Sequence, residues 1–218
     1  MRGLILANFK LLKTIPPMTK YISLICLLAF PLEFIDIYFM EKHLSLHSLA
    51  SIDFSFWQPI TCAFLHVSPE HISFNLAYFV LYGFFIENEM SKKWFAFFML
   101  MSIIFSFILV QYTWSVNGYE SERPLIGLSG VGYGLSASFL FIRNRNKSLI
   151  YLMVQIITFL GIASAFWECR YCLFSNCSSV DISDAAHLGG IIGGTIAAMI
   201  YYNRFTQKKI AQNPKVHL

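Results

Sequence analysis

The chain has 218 residues, of which 56% are hydrophobic and 13% charged. That charged share is about half the roughly 25% of globular proteins, and several apolar runs are long enough to cross a bilayer, which excludes an enzyme built on a large aqueous domain. The net charge of +4 does not imply nucleic acid as a partner, because the basic residues sit at the ends of the apolar runs.

Residues 1–20 contain Arg2, Lys10, Lys13 and Lys20 and no acid. Asn8, Lys10 and Lys13 interrupt the first apolar stretch, so no cleavable signal peptide is expected. Leu4, Ile5, Phe9, Leu11 and Leu12 suit a short interfacial helix ended by Pro16-Pro17. The first span is expected from Met18 to Met40. Glu33 and Asp36 lie in its outer half and read as a pair snorkelling to the interface. The loop from Glu41 to Thr61 carries Phe54, Phe56 and Trp57, aromatics that mark a membrane interface.

The second span starts near His66 or Pro69 and ends at Ile86, before Glu87-Asn88-Glu89. Lys92-Lys93 precede a third span from Trp94 to Trp114. A polar loop, Ser115 to Ile126, leads to a fourth span that runs to Ile142 and stops at Arg143-Asn144-Arg145-Asn146-Lys147. The fifth span runs from Leu149 to Trp167. A cysteine-bearing loop, Glu168 to Asp184, leads to the sixth, Ala185 to Asn203. The expected architecture is an all-α, polytopic, six-helix bundle over residues 18–204. Residues 1–17 form an N-terminal segment and residues 205–218 a basic tail.

Six spans put both termini on one side. That side holds 13 of the 16 lysines and arginines, and the opposite loops hold only Lys42, Arg123 and Arg170. By the positive-inside rule both termini are cytoplasmic. The Ser129 end of the fourth span, the aromatic loop and the cysteine loop then face outward.

The fourth span opens on Gly127-Leu128-Ser129-Gly130-Val131-Gly132-Tyr133. Small residues at the start of a membrane helix serve plain packing in most proteins. A serine at that point is also where a nucleophile would be placed, because the first N–H groups of a helix lie outside its ladder and favour negative charge. Depth separates the two readings. Counted from the cytoplasmic ends at about 1.5 Å per residue, Ser129, His187 and His71 lie about 21, 25 and 24 Å in. The hydrocarbon core is about 30 Å thick, so the three share a level below the outer surface. Gly130 and Gly134, and Gly190 and Gly194, form small-residue faces through which helices four and six can approach closely, and Gly127 is grouped with them as a packing glycine. His187 shares its face with Gly190 and Gly194, Ser129 shares one with Tyr133, and His71 shares one with Asn75. A nucleophile, a base and hydrogen-bond donors for an oxyanion are the components of acyl transfer. A metal site is disfavoured, since no buried carboxylate accompanies the histidines.

From Trp57 to Tyr202 the pattern resembles the rhomboid family of intramembrane serine proteases. The residues that carry the resemblance are His66, His71-Ile-Ser-Phe-Asn75, Gly83, Glu87, Gly127-Leu-Ser129-Gly130-Val-Gly-Tyr133 and His187-Leu-Gly-Gly190-Ile-Ile-Gly-Gly194. It implies Ser129 as nucleophile and His187 as general base. It implies an oxyanion hole from His71, Asn75 and the Ser129 N–H, with Tyr133 supporting the His187 ring. Glu87 would tie helix two to its cytoplasmic loop. The family uses a dyad, so Asp181 and Asp184 read as loop residues. The resemblance further implies no cofactor, substrates that are single-span membrane proteins unwound near the cut, and residence in the bilayer of a bacterial inner membrane. One departure is Trp57-Gln58, where the family usually has Trp-Arg; it bears on the anchoring of the outer loop and not on the chemistry. The rhombosortase branch, which processes C-terminal sorting tails, is also a compact six-span type and is not separated by these residues. A catalytically inactive helix-binding relative would not need the Ser129, His187, Asn75 set. A transporter would be expected to show paired acids at mid-membrane and repeat symmetry.

Cys169, Cys172 and Cys177 fall within the outward loop between spans five and six, where disulfides persist. Cys-x2-Cys-x4-Cys lacks a clear fourth metal ligand, so one disulfide and one free thiol are expected. Cys169–Cys177 closes the longer loop and is sterically easier than Cys169–Cys172, although spacing does not decide the pair. Alkylation in cells before and after reductant should therefore show two of these thiols released by reduction; free alkylation of all three without reductant removes the bridge.

Overall fold

The computed structural model describes residues 15–117, 124–141, 161 and 182–212. Seven helices appear among them: α1 (Pro17–Glu33), α2 (Ile37–Leu44), α3 (Gln58–Thr61), α4 (Pro69–Glu89), α5 (Lys92–Asn117), α6 (Ser129–Phe141) and α7 (Ile182–Gln212). A 3₁₀ turn, Cys62–Phe64, follows α3. There is no strand among the described residues, only one antiparallel bridge between Leu46 and Leu125. Helices α5 and α7 contain stretches long and apolar enough to cross a membrane, Lys92–Val116 and Ile182–Arg204. The fifth predicted span, the cysteine loop and the N-terminal interfacial segment lie outside the described residues.

The first apolar run is not one continuous helix. Pro31 lies inside its last turn and removes a backbone donor. The chain leaves the helix after Glu33, and Asp36 starts α2 by accepting from the Phe39 N–H at 2.9 Å. Glu33 and Asp36 are therefore not a snorkelling pair. Asp36 is an exposed cap, whereas Glu33 is 7% exposed and faces the protein.

Glu87 near the end of α4 is also buried. Its carboxylate accepts from the Met18 N–H, the Thr19 N–H and the Thr19 hydroxyl, each at 2.8 Å. These backbone donors belong to the first turn of α1, which has no partners of its own within the helix. The partner of Glu87 is thus the start of α1 and not the loop after α4. Thr19 also packs beside Gly83, where a Cβ would collide with its hydroxyl at 2.5 Å. At the other end of α4, Ser68 accepts from the His71 N–H at 3.2 Å and Pro69 occupies the first turn, a standard helix start.

Helix α7 lies between α5 and α6, and its glycines divide between them. Added Cβ atoms on Gly189 and Gly193 would strike the backbone of α5 at Phe105, Ser106 and Met101, while those on Gly190 and Gly194 would strike the carbonyls of Gly130 and Gly134 on α6. Two faces are thus bare of side chains, and the helix is wedged at backbone contact on both. Serines fill the corners: Ser106 donates to the Ala186 carbonyl at 2.7 Å, and Ser138 donates to the Gly194 carbonyl at 2.9 Å. Helix α7 runs past the expected end at Asn203. Below the glycine contacts, Phe79, Tyr82, Ile86, Phe95, Phe98 and Phe139 form the apolar core.

The loop between α2 and α4 is fastened by side chains. Gln58, fully buried, accepts from the Ser55 N–H at 3.1 Å and the His47 N–H at 3.4 Å. Its amide nitrogen donates to the Asp53 carbonyl at 2.7 Å. Gln111 of α5 accepts from the Leu49 N–H at 2.8 Å and donates to the His47 carbonyl at 3.0 Å. Trp57 donates from its indole to the His43 carbonyl at 2.9 Å. The glutamine at the position of the Trp-Arg departure therefore anchors the loop itself.

A hydrogen bond to a charged group contributes about 1.5–3 kcal/mol. Glu87→Ala strands three donors and should lower stability by about 3 kcal/mol or more, read as a fall in thermal unfolding temperature in detergent. Glu87→Gln, which still accepts hydrogen bonds, should lose less. Equal stability of Glu87→Ala and the parent would remove Glu87 as the cap of α1.

Candidate active site

Ser129 is the first residue of α6, and His187 lies in the second turn of α7. The glycine contacts set how far apart these helices stand. Gly130 faces Gly190 and Gly134 faces Gly194 at backbone distance. The serine is one residue before the first of these contacts and the histidine three before its partner, so both occupy the same end of the crossing. The His187 Nε2 and the Ser129 Oγ are 2.9 Å apart. Tyr133, one turn below Ser129 on the same face, stacks on the imidazole with centroids 4.3 Å apart and planes 27° from parallel. The ring is thereby held on one face by an aromatic while its Nε2 meets the hydroxyl. Tyr78 of α4 backs Tyr133, centroids 5.5 Å apart, and gains its room from Gly132.

His71 and Asn75 come from the first two turns of α4. Both approach Gly127, two residues before the serine. A Cβ on Gly127 would stand 2.9 Å from the His71 Nε2 and 3.5 Å from the Asn75 Nδ2. Gly127 has φ of 123°, a region that L side chains rarely adopt, and its N–H donates to the Cys62 carbonyl at 2.9 Å. It lies in the turn before α6 and contacts His71 and Asn75, and so differs from the helix-packing glycines with which the sequence reading grouped it. The absence of a side chain there leaves an imidazole and an amide next to the start of α6. The Asn75 Nδ2 is buried with no hydrogen-bond partner among the described residues. A buried donor without an acceptor is costly and suits a group whose acceptor arrives with a substrate. The Ser129 N–H, at the first position of its helix, adds a donor outside the α6 ladder.

Beside Ser129 a small cleft is bounded by Leu46, Cys62, Phe107, Ile126 and Ala186. Leu46 and Leu125, joined by two backbone hydrogen bonds of 2.9 Å, line this cleft. Asp184 lies in the first turn of α7, not in a loop as expected, and there it complements the helix dipole. Asp181 lies outside the described residues. Among the described residues no three His, Cys, Asp or Glu side chains are grouped to hold a metal ion.

Sequence reasoning gave Glu33 and Gln58 other roles and missed the serines Ser102 and Ser106 of α5. Ser106 would meet a Cβ on Gly130 at 2.7 Å, and the Ser102 hydroxyl occupies the space beside Gly134. Their spacing of four on an apolar helix was the available signal.

A profile of the Rhomboid domain matches residues 53–204. Over 151 residues, 68% of this chain and 71% of the relative, the sequence is 32% identical to the rhomboid protease GlpG of Haemophilus influenzae.

Any side chain at Gly190 must push α7 off α6. Gly190→Val should therefore part Ser129 from His187, and a misplacement of about 1 Å costs on the order of a hundredfold in rate. The readout is the rate at which a serine-reactive fluorophosphonate labels Ser129. An unchanged labelling rate in a folded Gly190→Val protein would mean that this glycine does not set the distance.

Proposed function

The chain belongs to the rhomboid family, and from that premise we propose that it is an intramembrane serine endopeptidase working through Ser129 and His187. The observation that carries the reading is the 2.9 Å contact between the His187 Nε2 and the Ser129 Oγ, made by two helices at backbone contact.

In this reading the Ser129 Oγ attacks the carbonyl carbon of a substrate peptide bond while the His187 Nε2 takes its proton. The tetrahedral oxyanion forms beside the first turn of α6. The Ser129 N–H, the Asn75 Nδ2 and the His71 Nε2 are the donors that stabilise it. Collapse breaks the C–N bond, and His187 returns its proton to the leaving amine. A water, deprotonated by His187, then hydrolyses the acyl-enzyme and regenerates the serine. Tyr133 keeps the imidazole in plane throughout. No cofactor is called for, since the two side chains supply both proton transfers.

The wider reading is a bundle of six membrane-spanning helices with both termini in the cytoplasm and the site opening outward. The distribution of lysine and arginine supports it. Substrates are single-span membrane proteins cut near their outer end, where the helix must unwind to expose a peptide bond. A tail-processing role of the rhombosortase type uses the same chemistry on a different substrate.

Ser129→Ala should abolish cleavage of a model transmembrane substrate, and His187→Ala should come close to it. Activity that survives Ser129→Ala, or that a chelator removes, ends this reading. Asn75→Ala removes one oxyanion donor and should lower turnover by about 10²- to 10³-fold in a protein that still folds. Unchanged turnover would leave Asn75 as a packing residue.

A further inference from the structure

Glu33 is the last residue of α1, which precedes the matched Rhomboid region at residues 53–204. Both oxygens of its buried carboxylate accept from the backbone N–H of His66 at 3.0 Å. His66 lies in the short segment between the 3₁₀ turn and α4 and is 1% exposed. Its ring meets the His71 ring edge-on, with centroids 5.1 Å apart and planes at 65°. The His71 Nε2 in turn lies against Gly127. Four residues before His66, the Cys62 carbonyl holds the Gly127 N–H at 2.9 Å. Residues 62–71 thus hold Gly127 twice, by a carbonyl on its N–H and by an imidazole in the space of its missing side chain. Glu33 fastens the middle of that segment to a different helix.

A carboxyl group in a membrane span is costly, and an apolar contact would join α1 to α4 without that cost. What a carboxyl adds is direction: an acceptor of fixed reach on a single N–H sets the position of one peptide unit. We propose that Glu33 is a positioning residue for the oxyanion pocket, holding the His66 peptide so that the His66 ring sets the His71 ring against Gly127. The inference rests on the protease reading above and assigns to α1 a part in the geometry of the site.

The experiment begins with the parent and Ser129→Ala, which test the protease reading on their own. Given Ser129-dependent cleavage, kcat and KM are measured for Glu33→Leu and Glu33→Gln in detergent, alone and combined with His71→Ala. Glu33→Leu should lower kcat by about tenfold, a fraction of the roughly hundredfold cost of an ångström of misplacement, and leave KM within about twofold. Glu33→Gln, with an acceptor of the same reach, should restore kcat to within about threefold of the parent. In the His71→Ala background the two Glu33 variants should turn over alike, because the ring through which Glu33 acts is gone. If Glu33→Leu fails to fold, Glu33→Asp replaces it; one methylene shorter, it should fall below Glu33→Gln in kcat. A parent-like kcat in the folded Leu variant, the same loss with and without His71, or equal kcat for Asp and Gln, would each overturn the proposal and leave Glu33 a tether.

Discussion

Where α6 crosses α7 there are no side chains. The carbonyls of Gly130 and Gly134 occupy the space that Cβ atoms on Gly190 and Gly194 would need. Lipid tails are as apolar as leucine, so helices in a bilayer gain little from hiding leucine and associate through close packing instead. Backbone contact at two successive turns brings the axes near enough for a short serine side chain to meet an imidazole across the gap. With any larger pair of residues at the crossing, the hydroxyl could not reach. The stack of Tyr133 on His187 and the serine bonds of α5 follow from the same spacing.

A second constraint is the satisfaction of backbone polar groups where water is scarce. Several departures from regular helix are met by a polar side chain, three of these being buried. Glu87 caps the start of α1, Gln58 and Gln111 hold the loop after α2, and Glu33 holds the peptide at His66. These four side chains also join elements far apart in sequence. The loop is consequently a defined part of the protein beside the Ser129 cleft, joined by the Leu46–Leu125 bridge to the segment that leads into α6.

Much of this was legible beforehand because it depends on spacing along a helix. A serine between glycines, a histidine three and seven residues before two glycines, and a histidine four before an asparagine each specify a face. Equal depth could be counted from the charged ends. Side chains that act across sequence were not legible in the same way. Glu33 read as an interfacial residue because nothing in its own helix reveals that α1 ends there with the carboxylate on the His66 N–H. Gln58 read only as a departure from Trp-Arg, since its partners at His47, Ser55 and Asp53 are backbone groups of a loop with no periodicity. The division of the α7 glycines between two neighbours was equally hidden. Four glycines in six residues announce close contact but not with which helix. Gly127 stood next to packing glycines in sequence, yet its positive φ and its histidine neighbour belong to a turn.

The wedging of α7 on both sides bears on how the protein meets membranes of unequal thickness. A helix longer or shorter than the local hydrocarbon layer adjusts by tilting. A helix joined to its neighbours by flexible side chains could tilt alone and draw its histidine away from the serine. Here α7 has backbone against it from α5 on one face and α6 on another, so it can neither roll about its axis nor lean independently. The three helices should therefore adjust to mismatch together, which would insulate the Ser129–His187 separation from bilayer depth. On the protease reading proposed above, sensitivity to lipid thickness would then reside in the delivery of the substrate helix and its exposure at the cleft, leaving the proton-transfer distance constant.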